Sequence, residues 1–270
     1  MYVSVLDDKG APVADLGPSD FQIREDNVVR EVLRVTPATD PMQIVLLVDN
    51  SQAAAEFVRD YRTALTVFVD AVIEANAGGK HLLSIVGVAD RPTIFTDYTF
   101  SRTELAKGVG RIFATTDSAS YLLDGIIEVS RGLHKRRPER PVIVALTTEG
   151  PELSQRSYQA VLEPLRASGA TLHVIALGRP RNTSHDRSIA LTSGTRETGG
   201  RYDTVLVGSA LTARLKDLAA ELTSQYLVTY GRPRTLIPPE RFTVRATRPR
   251  LVARGRPVVS PSPAPAEDQR

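Results

Sequence analysis

The segment QIVLLVDNSQAAAEF, Gln43 to Phe57, holds the fold in outline. Ile44 to Val48 is an unbroken apolar run, the pattern of a strand buried on both faces. Asp49-Asn50-Ser51-Gln52 is a small polar loop, and a helix-compatible stretch follows. A strand that breaks into polar residues just before a helix delivers an aspartate and a serine to the edge of a sheet.

The same grammar repeats along the chain. LLSIVGV (82–88), PVIVAL (141–146) and TLHVIAL (171–177) are further short apolar runs bounded by turn residues. Between them lie helical patterns. From Ala53 to Ala77, the residues Phe57, Tyr61, Leu65, Phe68, Val72 and Ile73 recur at spacings of three and four, which is one apolar stripe of an amphipathic helix. Further helices are predicted over 102–113, 120–134, 154–168, 186–197 and 209–224. Alternating strands and helices over 42–224 predict an α/β, three-layer architecture: a mostly parallel sheet with helices on both faces and right-handed crossovers.

The flanks read differently. Residues 1–40 contain short strands, YVSVL, FQIRE and VVREVLRV, separated by Asp8-Lys9-Gly10, Gly17-Pro18-Ser19-Asp20 and Asp26-Asn27. Residues 225–255 return to strands, QYLVTY, RFTVRAT and RLVARG. Each flank alone has too few strands for an independent core. The expectation is that they pair into a small β-sandwich in which the α/β unit is inserted. Residues 256–270, rich in Pro, Ser and Ala, are expected to be a disordered tail.

Composition narrows the chemistry. The 270 residues contain no cysteine, which excludes disulfides, thiolate metal sites and cysteine nucleophiles. Thirty-four Lys and Arg against 31 Asp and Glu give a net charge of only +3. The charges are interspersed, so no nucleic-acid role is expected. HKRRPER (134–140) reads as the solvated cationic end of a helix, where it suits the helix dipole, and GRPRN (178–182) as the opening of a loop. No apolar run approaches the roughly 20 residues of a membrane helix. The opening YVSVLDD alternates like a strand, so no signal peptide is expected within this sequence.

In open α/β sheets, ligands bind beyond the carboxyl ends of the strands near the topological switch point. Three oxygen-rich segments fall there: Asp49-Asn50-Ser51-Gln52-Ala53, the loop in TTDSASYLLDGI (115–126), and Thr147-Thr148-Glu149-Gly150. Oxygen ligands suit hard cations such as Mg²⁺.

At these residues the chain resembles von Willebrand factor type A domain proteins, and more narrowly the bacterial subfamily in which the A domain lies between short β segments. VSVLDDKGAPVADLGPSDFQIREDNVVREV is similar to that subfamily's opening segment, SYLLDGI (120–126) to its helix start, and TGGRY (198–202) and LTSQYLVTYG (222–231) to its closing elements. The resemblance extends to about residue 255. It implies a metal-ion-dependent adhesion site: an Asp-x-Ser-x-Ser loop, a threonine from a second loop and an aspartate from a third, holding Mg²⁺ or Mn²⁺ that an acidic group of a partner completes. Carried over, Asp49 and Ser51 match, Ala53 stands where the second serine would be, and Ser120 keeps a hydroxyl in the threonine's place. Thr148 stands where the third-loop aspartate would be, with Glu149 as a neighbouring substitute. The expectation is a degenerate site at Asp49, Ser51 and Ser120 that holds no cofactor, Asp49 and Ser51 instead capping the helix that starts near Ala53. Weak Mg²⁺ or Mn²⁺ binding is the alternative. The resemblance further implies a location outside the cytoplasm.

Signals for enzymatic chemistry are weak. His81 and His173 fall in or beside strands and read as structural; His134 and His185 read as solvated loop residues. Asp124 reads as structural. There is no Gly-x-Ser-x-Gly elbow, and GVGRIF (108–113) lacks the third glycine and the preceding strand of a dinucleotide loop. The reading is a non-enzymatic module that binds another protein. A genuine Mg²⁺- or Mn²⁺-dependent ligand domain is the nearest alternative, with a hydrolase or nucleic-acid-binding protein further off.

Overall fold

The computed structural model describes residues 1–75, 81–179, 184–232, 239 and 242–256. The expected tail, apart from Arg256, and Pro180 to Asn182 of the GRPRN loop lie outside the described residues. The chain opens with β1 (Tyr2–Leu6), β2 (Phe21–Glu25), β3 (Val28–Arg30) and β4 (Val32–Pro37). Alternation follows: β5 (Met42–Val48), α1 (Val58–Glu74), β6 (Leu82–Val88), β7 (Pro92–Thr99), α2 (Arg102–Gly110), α3 (Leu122–Arg136), β8 (Arg140–Thr148), α4 (Tyr158–Ser168), β9 (Thr171–Leu177), α5 (His185–Glu197), β10 (Tyr202–Val205) and α6 (Leu211–Thr223). The last strands are β11 (Tyr226–Tyr230), β12 (Phe242–Ala246) and β13 (Val252–Arg256).

The α/β part is a six-stranded sheet in the order β10-β9-β8-β5-β6-β7, parallel except for β7. Its central strand is the run that opens the sequence reading, and the period-2 alternation of strand side chains sends it into two cores. Ile44, Leu46 and Val48 join Tyr61, Leu65 and Phe68 of α1, Leu105 of α2 and Leu211, Leu215 and Leu218 of α6. Val45 and Leu47 point the other way, to α3, α4 and α5 through Leu123, Ile126, Leu162, Leu165 and Leu191. The three-layer architecture is as expected. After β5 the chain places β6 on one side and β8 on the other, so the switch point lies between β5 and β8.

Three sequence expectations need correction. The first helix does not begin at Ala53. Gln52–Phe57 forms a tighter 3-10 turn, and α1 starts at Val58. Two strands, β7 and β10, have no counterpart in the apolar runs. Both are sheet edges, one eight residues long and half exposed, the other only four residues long, so neither needs a continuous apolar sequence. His134 and His185 are helical rather than in loops: His134 lies in the last turn of α3, and His185 opens α5.

The flanks do interleave. β13-β1-β11-β4 and β12-β2-β3 are two antiparallel sheets, each mixing strands from both ends of the chain. They share a core of Val3, Val5, Phe21, Ile23, Tyr226 and Val228, with Phe21 edge-on to Tyr226 at 5.9 Å between ring centroids.

Arg140 pins this sandwich to the α/β layer. Its guanidinium donates to the carbonyls of Ala38, Asp40 and Leu222 and to Gln225 Oε1, at 2.8–3.4 Å, and lies over the Tyr2 ring. Ala38 N–H also donates to the Gln225 carbonyl, so both crossings of the chain meet here. The cationic run is therefore not uniformly solvated. Lys135 to Arg137 are exposed, but Arg140 is buried, because it alone finds enough acceptors to replace water. Among the described residues no helix is long and apolar enough to cross a membrane.

Candidate functional site at the carboxyl edge of the sheet

Three loops close over the switch point and are bonded to one another through their backbones. Asp49 N–H donates to the Leu146 carbonyl, Thr115 N–H to that of Asn50, Gln52 N–H to that of Ser118, and Ser120 N–H to that of Pro151. Asp49, Ser51, Ser120, Thr147, Thr148 and Glu149, which the sequence reading brought together, do share this edge, and all six are buried.

The Asp49 carboxylate is the hub. Its Oδ1 accepts the Ser51 N–H at 2.9 Å, an Asx-type turn. Its Oδ2 accepts the Thr148 hydroxyl at 3.0 Å and the Thr148 N–H at 3.2 Å, with the Thr147 hydroxyl at 3.5 Å. The capping expectation fails here. Ser51 is the N-cap residue of the 3-10 turn but makes no side-chain cap bond, and Asp49 bonds within its own loop and to the third loop. The tight turn directs Ala54 N–H to the Ser51 carbonyl instead.

Three buried hydroxyls on these loops and on α1 have no hydrogen-bond partner among the described residues: Ser51 Oγ, Ser120 Oγ and the Tyr61 OH. Ser51 and Ser120 are 1% and 3% exposed. Burial, followed by the Asp49 charge, holds the Tyr61 hydroxyl well above its usual range. Ala53 turns its methyl to the third loop: a Cβ on Gly150 would fall 2.6 Å from Ala53 Cβ, so this contact requires glycine.

Glu149 has other partners than Asp49. Its carboxylate meets Arg187 Nη1 at 3.5 Å and the Tyr202 OH at 3.4 Å. Arg187 also donates from Nη2 to the Thr148 carbonyl at 2.8 Å and to Thr147 Oγ1 at 3.3 Å. Sequence reasoning missed Arg187, although one signal was present. It lies in the first turn of α5, where a cation opposes the helix dipole and needs an anion close by.

Glu152 was missed as well. It accepts the Leu122 N–H at the start of α3 and the N–H and hydroxyl of Ser154, which ties the third loop to the second. Burial raises its pKa against those bonds. Asp124, read as structural in the sequence, pairs with Arg156 at 2.7 Å. His81 Nδ1 accepts the Met42 N–H, and His134 is bonded to the Ala167 carbonyl, both at the opposite end of the sheet from Asp49. Among the described residues no group of three or more His, Asp or Glu forms a metal-ligand cluster.

No protein-family model matches the sequence, and no curated protein matches it. Solved structures do match the fold. A von Willebrand factor type A protein from Catenulispora acidiphila is 16% identical, with a TM-score of 0.53 over 77% of this chain and 51% of that one. Proximal thread matrix protein 1 from the mussel byssus, with a zinc-occupied MIDAS motif, is 15% identical, with a TM-score of 0.58 over 74% of this chain and 50% of that one. The von Willebrand factor domain of the type V pili tip protein Mfa5 from Porphyromonas gingivalis is 10% identical, with a TM-score of 0.52 over 68% of this chain and 96% of that domain. The chain spans about half the length of the first two. At these identities the likeness concerns architecture: the chain has the von Willebrand factor type A fold, with antiparallel sheets added.

Proposed function

We propose that the chain is a non-enzymatic, adhesion-type module that binds another protein, and that its sheet-edge site is degenerate and works without a resident divalent ion. The α/β unit over 42–224 carries the site, and the strands of 1–40 and 225–255 support it. The observation that carries this reading is the pair of bonds from Thr148 to Asp49 Oδ2. A residue in the place of a third ligand acts as a donor to the first ligand, so the protein itself supplies what a cation would supply.

The donor set falls short of a Mg²⁺ or Mn²⁺ site. Such ions take oxygen ligands and gain most from carboxylates. Here one carboxylate and two neutral hydroxyls are available, and both carboxylate oxygens already accept hydrogen bonds. Ala53 offers a methyl, and Glu149 is engaged by Arg187 and Tyr202. A protein partner outside the cytoplasm agrees with the pilus-tip and byssal-matrix proteins that share the fold.

One observation favours a second reading, a Mg²⁺- or Mn²⁺-dependent ligand site. An unsatisfied buried hydroxyl costs about 1–3 kcal/mol, and Ser51 Oγ and Ser120 Oγ are two such groups on the loops that meet at this sheet edge. In that reading Asp49, Ser51 and Ser120 would hold the ion. A crosslinking pull-down from the native source, with and without chelator, separates the two. Capture of the same protein at equal yield in EDTA is expected. Capture that EDTA abolishes and Mn²⁺ restores would favour the second reading.

A further inference from the structure

We infer that Arg187 stands in for a divalent ion at this sheet edge: its guanidinium gathers the oxygens of the third loop and keeps Glu149 from serving any cation. The inference rests on the metal-free reading above and names the group that makes it work.

The surroundings of the guanidinium carry it. Arg187 is 2% exposed. Its contacts are a backbone carbonyl (Thr148), a hydroxyl (Thr147) and a carboxylate (Glu149). Those are the three oxygen types that a hard cation collects. The Thr147 hydroxyl that it engages lies 3.5 Å from Asp49 Oδ2, and Thr148, whose carbonyl it holds, gives that oxygen both its N–H and its hydroxyl. One fixed positive charge thus sets the third loop in the orientation that serves Asp49.

Charge balance makes the same point. Asp49 and Glu149 are buried acids on adjoining loops, and Arg187 is the cation paired with the second of them. Without Arg187, Glu149 would be a buried carboxylate with no cation in contact. A buried charge left unpaired is costly, and a divalent ion is one group that could offset it. A guanidinium is planar and always charged, so it holds the loop at any ambient cation concentration. Ser184 seats it, accepting the Arg187 N–H at 3.0 Å as the N-cap of α5.

The test is Mn²⁺ binding, followed by calorimetry and by the electron paramagnetic resonance signal of free Mn²⁺. The proteins are wild type, Arg187→Gln, Arg187→Lys and the double variant Arg187→Gln with Glu149→Gln. Arg187→Gln is expected to bind Mn²⁺ saturably, at least tenfold below the millimolar range in which wild type shows no saturation. Arg187→Lys, which keeps the charge, is expected to match wild type, and the double variant to lose the gain. If Arg187→Gln does not fold alone, Mn²⁺ is expected to restore a cooperative unfolding transition. An Arg187→Gln protein that Mn²⁺ neither binds nor rescues overturns the inference, as does a gain that survives Glu149→Gln. With wild type showing no saturable binding, those results leave the metal-free reading in place. Tight Mn²⁺ binding by wild type would instead overturn that reading at its base.

Discussion

Thr148 gives Asp49 two hydrogen bonds to one carboxylate oxygen, from its hydroxyl at 3.0 Å and its amide at 3.2 Å. Thr148 ends β8, and Asp49 directly follows the neighbouring parallel strand β5, on either side of the switch point. The bonds bridge two loops about a hundred residues apart in sequence, and they need no ligand to form.

Breaking this bridge should cost stability. Hydrogen bonds to a charged group contribute roughly 1.5–3 kcal/mol each. Asp49→Ala would leave the N–H groups of Ser51 and Thr148 without their acceptor, and a loss of roughly 3 kcal/mol is expected. Thr148→Val keeps the shape and the amide bond and removes only the hydroxyl, so about 1–2 kcal/mol is expected. Urea unfolding monitored by circular dichroism checks both. Equal midpoints for wild type and Asp49→Ala would show that the carboxylate is not structural.

Arg140 should matter at the other end of the sheet. Its guanidinium satisfies three carbonyls and one side-chain amide where the chain passes twice between sandwich and α/β layer. Arg140→Met keeps much of the volume but strands those acceptors, at roughly 2–4 kcal/mol. Hydrogen exchange should quicken at Ala38, whose N–H bonds Gln225 across the junction. Unchanged protection there would show that the crossings are held by strand pairing alone.

Acid stability should depend on His173. The ring is fully enclosed in β9, and burial lowers its pKa to about 4 from an ordinary 6.5. Between those values the unfolded chain binds a proton that the folded chain refuses. Stability is therefore complete above about pH 6.5 and falls as pH drops toward 4, by on the order of 3 kcal/mol for this group. Both ring nitrogens lack a hydrogen-bond partner among the described residues, so an apolar replacement gives up no bond. His173→Leu should flatten the fall in melting temperature between pH 7 and pH 4.5. A slope identical to wild type would place the acid sensitivity elsewhere.

The fold was legible wherever a residue's environment is written in its neighbours. The runs 44–48, 82–88, 141–146 and 171–177 are apolar because β5, β6, β8 and β9 are covered on both faces, and the stripe through Tyr61, Leu65 and Phe68 is continuous because α1 has one buried side. β7 and β10 escaped because edge strands need no such run. At the site, the polar loops stood out at the ends of the apolar runs, and the resemblance to an adhesion-site motif picked Asp49, Ser51 and Ser120 from them. Arg187 and Glu152 did not stand out, since their partners lie 38 and 30 residues away, and the position of Arg187 in the first turn of α5 says that an anion is needed without saying which. The capping role expected of Asp49 failed for the same reason: its strongest partner, Thr148, is remote in sequence.

The most direct measurement is a calorimetric titration of the wild-type protein with MnCl₂ and MgCl₂, repeated with Asp49→Ala. The expected result is no saturable heat for either protein up to millimolar metal, with a melting temperature indifferent to chelator. A micromolar, chelator-reversible signal in wild type that Asp49→Ala abolishes would contradict a sheet edge held together by Thr148 and Arg187 in place of an ion.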